Sequence, residues 1–427
     1  MRNNFSKYLQ LIVLIVAAGT IYPMLYLRQN YQTSMLDVFH ISATQFGELY
    51  SVLGIFFFVG CLPSGWLADR FSPRKLISFS LVGTGVLGFW YATFPGFTQL
   101  LIIFCGWGVT AGLTFWGALI KRVNLLSKKD EQGRFYGALD GGRGFVEALL
   151  ATIAVSVFAY IARHHAGNVA MGLKQVIHIY ACSCVVVGII ILFFEDPAAD
   201  QEAEKELKAH HTTFLQDLKT ILANKQLLLM SLIIFCGYQQ FWATYLFSGY
   251  MQNGGLSAVT AGFIIAFKLW MRPIGGIGGG ILGDKFSNIN ILIITLFISA
   301  ICLCVLSLIS VFQSVYMVIF FVIFCGLITY IIRGIYWAIL EVCHLPNDIK
   351  GLAIGLISII GYSPDIFLPI LNGYLSDTYP GLLGYRIFFL YIAVMGIIGG
   401  LAAIILKASV TKKVTARRVI LALGEVT

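Results

Sequence analysis

Charged residues are scarce in this chain. Asp, Glu, Lys and Arg make up 11% of its 427 residues, whereas a soluble protein carries about 25%. Hydrophobic residues make up 58%, and the mean hydropathy is +0.85. Because a soluble protein of this size needs more polar surface to face water, the composition excludes an ordinary soluble enzyme, a nucleic-acid-binding module and a disordered protein. Most of the chain has lipid as its solvent.

The sequence also lacks the motifs of metal, disulfide and nucleotide sites. Its nine cysteines lie almost all in apolar runs and form no Cys-x-x-Cys pair, so we interpret them as small buried hydrophobic residues. The glycine-rich stretch 274–280 does not end in Gly-Lys-Ser/Thr, as a phosphate-binding loop would. We therefore predict no metal, no cofactor and no enzymatic activity.

Long apolar runs are what the chain has in abundance. A helix needs about 20 apolar residues to cross a bilayer, and twelve runs reach this length, which is too long for the strands of a membrane barrel. The sequence thus predicts an all-α membrane protein with twelve transmembrane helices. The predicted spans are 9–35, 46–68, 76–95, 99–120, 135–160, 175–194, 226–251, 258–283, 289–311, 314–340, 351–376 and 382–406.

One polar, charged segment divides these spans into two groups of six. It runs from Glu195 to Lys225 and is typical of a linker, with a short amphipathic helix expected at Thr213–Leu222. The predicted organisation is an N-terminal six-helix bundle over 1–194, a cytoplasmic linker over 195–225, a C-terminal six-helix bundle over 226–406 and a cytoplasmic tail over 407–427.

The basic residues predict the orientation in the membrane. With the N-terminus in the cytoplasm, 21 of the 29 Lys and Arg residues fall in cytoplasmic segments, and only Arg163, Lys174 and Arg386 fall outside. This asymmetry follows the positive-inside rule, and it also explains the net charge of +9 without a nucleic-acid partner. We predict a monomer in the inner (plasma) membrane, in contact with the lipid bilayer, with both termini cytoplasmic.

The two groups of spans resemble each other in sequence. Residues 65–70 and 280–285, which follow spans two and eight, both read Gly-x-Leu-x-Asp-Arg/Lys, at an offset of 215 residues. Within spans five and eleven, Glu147 matches Asp365 at an offset of 218 residues. Several matches at nearly constant offset indicate a duplicated six-helix unit.

Twelve spans, a six-plus-six duplication, a central loop and Gly-x-Leu-x-Asp-Arg after span two together resemble the major facilitator superfamily. The resemblance covers the whole chain, although Ser72 and Pro73 depart from the family's longer motif. It implies two pseudo-symmetric bundles that alternate about a central cavity, with a gate at the cytoplasmic side; a simple turn and anchor is the alternative for this motif. The predicted gate residues are Asp69, Arg70, Arg74, Asp284, Lys285 and Arg143.

Residues 26–31, Tyr-Leu-Arg-Gln-Asn-Tyr, are similar to a stretch of the organophosphate:phosphate antiporter branch in which the arginine binds a phosphoryl group. This similarity implies an anion-binding role for Arg28. The branch uses a second arginine in span seven, where this chain has Gln239 and Gln240. A clamp of two arginines on phosphate therefore does not follow from the sequence.

Charged residues inside the spans carry the functional hypothesis. A charge at the bilayer centre costs about 2.5–3.5 kcal/mol on insertion scales, so such residues must face partners or a watery cavity. Arg28, Lys268 and Arg333 suit an anion. Glu147 and Asp365 are predicted to bind an amine or to carry protons.

Each of these residues also has a structural interpretation. Arg143 and Glu147 lie four residues apart and can form an ion pair on one helix face. Arg333 can pair with a helix terminus, and Arg272, in the glycine-rich stretch, suits a packing or gate role. Polar aromatic residues and amides are weaker candidates for solute contact. The full predicted substrate-binding set is Arg28, Tyr22, Tyr26, Gln239, Gln240, Lys268, Arg333, Trp337 and Tyr362.

The sequence thus predicts a secondary active transporter that moves a small polar solute by alternating access. We expect an organic anion, either a phosphorylated compound or a sugar acid, driven by protons or by exchange. The alternatives are an amino-acid or zwitterion transporter and a transporter-like solute sensor.

Overall fold

The computed structural model describes residues 2–127, 131–164, 168–194, 223–309, 314–343 and 347–424, and these residues are almost entirely helical. The predicted linker helix at Thr213–Leu222 lies outside the described residues, as does the side chain of Asp69. The first half of the chain contains α1 (Arg2–Leu25), α2 (Arg28–Phe39), α3 (Ala43–Arg70), α4 (Pro73–Tyr91), α5 (Phe97–Trp107), a π-helical segment (Gly108–Leu113), α6 (Trp116–Leu126), α7 (Gln132–His164) and α8 (Val169–Ile191).

The second half repeats this arrangement of helices. It contains α9 (Lys225–Ala243), a 3₁₀ segment (Thr244–Leu246), α10 (Phe247–Asn253), α11 (Ala258–Phe286), α12 (Asn288–Leu308), α13 (Val315–Ile335), a second 3₁₀ segment (Ala338–Cys343), α14 (Asn347–Tyr362), α15 (Pro364–Thr378) and α16 (Leu382–Gly424). Helix α16 continues well past residue 406, where the tail was predicted to begin.

Eleven helical segments of the described residues are long and apolar enough to cross a membrane. The predicted span outside this set is the third, α4, which has 19 residues and begins with Pro73, Arg74 and Lys75. Helix α4 packs along α8 inside the first half of the chain. Its apolar length is short because its first turn is basic.

The buried apolar side chains form separate cores in the two halves of the chain. One large core is built from residues between Leu11 and Ile191, and two further cores lie between Leu227 and Leu406. A small fourth cluster joins α7 to α11 through alanines, Val155 and Leu269. We call the two halves the N-bundle and the C-bundle; α7 and α11 form one seam between them, and α3 and α15 form another.

Several spans are interrupted near their middle, where the local sequence cannot continue a regular helix. Pro23 lacks an N–H donor and lies two residues before the end of α1, and the chain resumes as α2 at Arg28. Pro364 begins α15 directly after α14 ends at Tyr362. Such breaks turn side chains at the ends of short helices toward the space between the bundles.

The bundles meet closely at one side of the molecule. We call the side where α1 begins and α16 ends the terminal face, and the opposite side the far face. Along the far half of the seam between α3 and α15, Gly47 lies against Pro369, and Gly373 lies against Ala43. The absence of side chains at these glycines lets the two helices approach within backbone contact.

Candidate functional site

A cavity of about 670 Å³ lies between the two bundles. It reaches Ser64, Ala68 and Asn124 near the terminal-face ends of α3 and α6, and Tyr31 is among its deepest residues toward the far face. The cavity therefore opens toward the terminal face. Its charged lining residues are Lys121, Arg143, Arg272, Arg333, Glu147 and Asp365.

An ion cluster joins the bundles at one wall of the cavity. Glu147 of α7 forms a buried ion pair with Arg272 of α11, and Arg143 Nε lies 3.2 Å from Glu147 Oε1, in ion-pair range but not aligned as a hydrogen bond. Asp140, whose side chain is largely exposed, lies 3.6 Å from Arg272. Glu147 is thus held between two arginines, one from each bundle.

Arg333 of α13 lines the same cavity in a different environment. Its guanidinium carbon lies 4.2 Å from the centre of the Phe241 ring and 5.9 Å from that of Tyr238. Among the described residues, no ion pair within 4 Å engages it. Aromatic faces stabilise this cation without using its N–H groups, so the donors stay free for a solute.

Asp365, at the start of α15, is a nearly buried carboxylate fixed by side chains of α9. The Tyr238 hydroxyl donates to both carboxylate oxygens, at 2.9 and 2.8 Å, and the Trp242 indole N–H donates to Oδ1 at 3.0 Å. Gly54 of α3 packs against the backbone of Asp365. The carboxylate lines the cavity and at the same time joins the helices that surround it.

Several predicted aromatic residues also lie at the cavity. Tyr22 and Tyr26 of α1 and Tyr362 of α14 line it. The centre of the Tyr22 ring lies 4.8 Å from the guanidinium carbon of Arg143. Tyr26 stacks on Tyr245 of the C-bundle, with ring centres 5.2 Å apart and planes 4° apart.

Other predicted binding residues lie away from the cavity. Gln240 donates to the Ile392 carbonyl and accepts from Ser299, so it joins α9 to α12 and α16. Trp337 donates to the Tyr362 hydroxyl at 3.0 Å, behind the lining. Gln239 is fully buried and also lies outside the lining.

Two predicted anion-binding cations are buried outside the cavity lining as well. Lys268 is fully buried and packs against Gly326 inside the C-bundle. Arg28 is 1% exposed and lies among the rings of Phe46, Tyr50 and Trp242. Sequence position placed both near the membrane centre, but the helix face that each occupies is set by packing.

The predicted gate cations contact residues of their own bundle. Arg70 lies over the Trp66 ring at 4.3 Å, and Arg74 reaches the carbonyls of Leu192 and Phe194 at 3.5 Å. Asp284 is exposed, and Lys285 lies 5.3 Å from the Phe286 ring centre. The fourth predicted gate cation, Arg143, belongs to the cavity wall. This arrangement fits a molecule that is open at the terminal face.

Two contacts between the bundles were not predicted from the sequence. Arg272 was predicted to pack or gate, yet it binds Glu147 across the bundles. Asp377 was not singled out, but its carboxylate accepts from the backbone N–H groups of Ala43 and Thr44, at 3.1 and 2.7 Å. The only feature of the sequence that pointed to this contact was the polar character of Asp377 at the predicted end of span eleven. Within the described residues, no group of three metal-ligating side chains occurs.

A family model for the major facilitator superfamily matches residues 9–369. The chain belongs to this superfamily. This assignment confirms the predicted fold of two six-helix bundles and makes the protein a membrane transporter, not an enzyme, that acts on a small-molecule substrate.

Known relatives agree with this assignment. The chain is 29% identical to the inner membrane protein YihN of Escherichia coli over 96% of this chain and 97% of the relative. It is 22% identical to the probable galactarate/D-glucarate transporter GudP of E. coli, over 86% and 85%. A bacterial homologue of the human lysosomal transporter Spinster, in an inward-facing and unoccupied conformation, superimposes with a TM-score of 0.74 at 13% identity, over 96% and 98% of the two chains. This last similarity supports the fold alone.

Proposed function

We propose that this protein is a secondary transporter of small organic anions, sugar acids or phosphorylated compounds, in the inner membrane. The observation that carries the proposal is Arg333, a cavity guanidinium whose neighbours are the rings of Phe241 and Tyr238. A guanidinium binds carboxylate or phosphate through paired hydrogen bonds. The adjacent rings suit the apolar faces of a small solute.

The charge of the cavity supports an anion. Its lining contains four cations and two carboxylates, an excess of two positive charges. Glu147 is already held by Arg143 and Arg272, which leaves Arg333 as the cation best disposed toward a solute. Galactarate and D-glucarate, for which the relative GudP is named, are sugar dicarboxylates, and a dianion of this kind matches the excess.

Binding to the purified protein tests the role of Arg333. We expect sugar acids or sugar phosphates to raise the unfolding temperature, and Arg333→Gln to weaken their binding at least tenfold, because a hydrogen bond to a charged group contributes about 1.5–3 kcal/mol. Arg163→Gln is the matched control, since Arg163 is exposed at the far end of α7. Equal affinity in the Arg333 variant and the control would remove Arg333 from the site.

A zwitterion is the second candidate solute, and the position of Asp365 favours it. Tyr238 contacts Arg333 through its ring face and Asp365 through its hydroxyl, so a carboxylate site and an ammonium site would share one tyrosine. In this case amino acids would stabilise the protein and sugar acids would not. Asp365→Asn would then weaken amino-acid binding as much as Arg333→Gln does.

Transport is proposed to run by alternating access with the terminal face in the cytoplasm. Either exchange or a proton gradient supplies the energy, and Glu147 and Asp365 are the candidate proton carriers. In proteoliposomes, Asp365→Asn and Glu147→Gln should abolish proton-driven uptake, and the protein that remains folded in each variant should still exchange solute. Proton-driven uptake at the unaltered rate in both variants would exclude this role, and binding without any uptake would identify a solute sensor.

A further inference from the structure

Trp242 makes two contacts that link the cavity to the far side of the molecule. Its indole N–H donates to Asp365 Oδ1 at 3.0 Å. The face of its ring lies against Arg28, whose guanidinium carbon is 4.7 Å from the ring centre. Trp242 itself is 2% exposed. One side chain of the C-bundle thus touches a carboxylate of the cavity and a buried cation of the N-bundle.

Arg28 is held almost entirely by aromatic rings. Phe46 and Tyr50, on α3 of the same bundle, lie 5.6 and 4.6 Å from its guanidinium carbon, and Trp242 supplies the ring from the other bundle. Within the described part of the chain, none of its three guanidinium nitrogens has a hydrogen-bond partner. A buried cation without acceptors is costly, and ring contacts offset only part of that cost.

This cost favours separation of the bundles at the far face. If they part, water reaches Arg28 and hydrates it. The Trp242 ring opposes this separation as long as its position is fixed. Three neighbours fix it: Asp365 through the indole N–H, and the rings of Tyr245 and Phe388, whose centres lie 5.7 and 6.0 Å away.

We propose that Trp242 is a positioning residue that couples the state of Asp365 in the cavity to closure of the far face around Arg28. When a solute group or a proton engages Asp365, the indole N–H loses part of its acceptor, the ring turns, and the cage around Arg28 loosens. The far face then opens. The proposal requires alternating access, as proposed above, but it does not depend on which solute is carried.

A distance between the bundles at the far face measures this coupling. Gln99 lies in the first turn of α5 and Leu383 in that of α16; both residues are exposed and lie outside the cavity, so each can carry a spin label. The nine cysteines are first replaced in a full-length variant that still transports. The two labels are then introduced, and the protein is reconstituted in lipid nanodiscs. The measurement uses no solute, so its outcome is independent of the test of Arg333.

Trp242→Phe keeps a ring over Arg28 but removes the N–H. We expect it to shift the population about tenfold toward the longer distance, and Asp365→Asn to shift it in the same direction. The double variant should behave like Trp242→Phe alone, because both changes act on the same hydrogen bond, which Asp365→Asn weakens and Trp242→Phe removes. Trp107→Phe is the matched control, since its N–H donates to the Thr84 carbonyl inside the N-bundle.

Two further variants extend the test, and the first does not depend on how well Trp242→Phe folds. Trp242→His retains a ring N–H and should restore most of the short-distance population. Arg28→Met removes the buried cation, and in the Trp242→Phe background it should return the population to the short distance. An unshifted distribution in Trp242→Phe, additive effects in the double variant, or no reversal by Arg28→Met would each overturn the proposal.

Discussion

Glu147 of α7 and Arg272 of α11 form a buried ion pair across the two bundles, one helical turn from Arg143. The pair lies at the level of the cavity, where α7 and α11 remain in contact while the terminal-face ends of the bundles leave a path open. The seam between α7 and α11 is therefore both apolar, through its alanine cluster, and ionic. Its ionic part faces the solute path.

Replacing Glu147 with Gln should destabilise the protein. The change leaves Arg143 and Arg272 buried beside each other without the carboxylate between them, and only the exposed Asp140 stays near Arg272. Removing one partner of a buried pair costs about 3–5 kcal/mol. We expect a clear fall in the unfolding temperature of the purified protein. Glu48→Gln, at an exposed position on α3, is the control and should leave it unchanged; equal unfolding temperatures in both variants would show that the ion pair contributes nothing.

Replacing Gly47 with Leu should prevent the bundles from closing at the far face. A side chain at Gly47 would meet the backbone of Pro369, which cannot move aside as a flexible side chain can. The distance between labels at Gln99 and Leu383 should lengthen, and transport should be lost. Gly278→Ala in α11, where an added Cβ meets nothing within 4 Å, should retain the short distance and transport. A Gly47→Leu variant that also retains the short distance and transport would contradict the close approach of the two helices.

Asp377→Asn should weaken the same closure more mildly. The Asp377 carboxylate accepts from the first backbone N–H groups of α3, and a charged cap at a helix N-terminus contributes about 1 kcal/mol. We expect about a fivefold shift of the far-face distance toward the open form. Asp37→Asn, exposed on α2, is the control. A shift of equal size in both variants would mean that net charge, and not this contact, is responsible.

Gln240→Ala should lower stability without altering solute binding. Ser299 loses its acceptor, and the contact between α9 and Ile392 of α16 is lost. A buried group without a partner costs about 1–3 kcal/mol. Thermal unfolding should occur at a lower temperature, while the dissociation constant of the identified solute stays within about twofold. A tenfold weaker affinity would instead place Gln240 at the solute, as the sequence predicted.

Much of the fold could be predicted because lipid leaves the chain few options. Runs of about 20 apolar residues can cross only as helices, so the spans, the all-helical fold and the six-plus-six repeat follow from composition and spacing. The sequence also identified charged residues inside the spans, which need a partner or a watery cavity, including Glu147, Asp365 and Arg333. All three line the cavity.

Only the tertiary structure decided which of these residues meet. Helix rotation separated Arg333, at the cavity, from Lys268 and Arg28, which are buried elsewhere, because a span of uniformly apolar residues has no clear periodicity to fix its inner face. Arg272 lies 125 residues from its partner Glu147, and Trp242 lies 123 residues from its acceptor Asp365. Contacts between distant segments depend on how the two bundles pack, and no local pattern in the sequence predicts this packing.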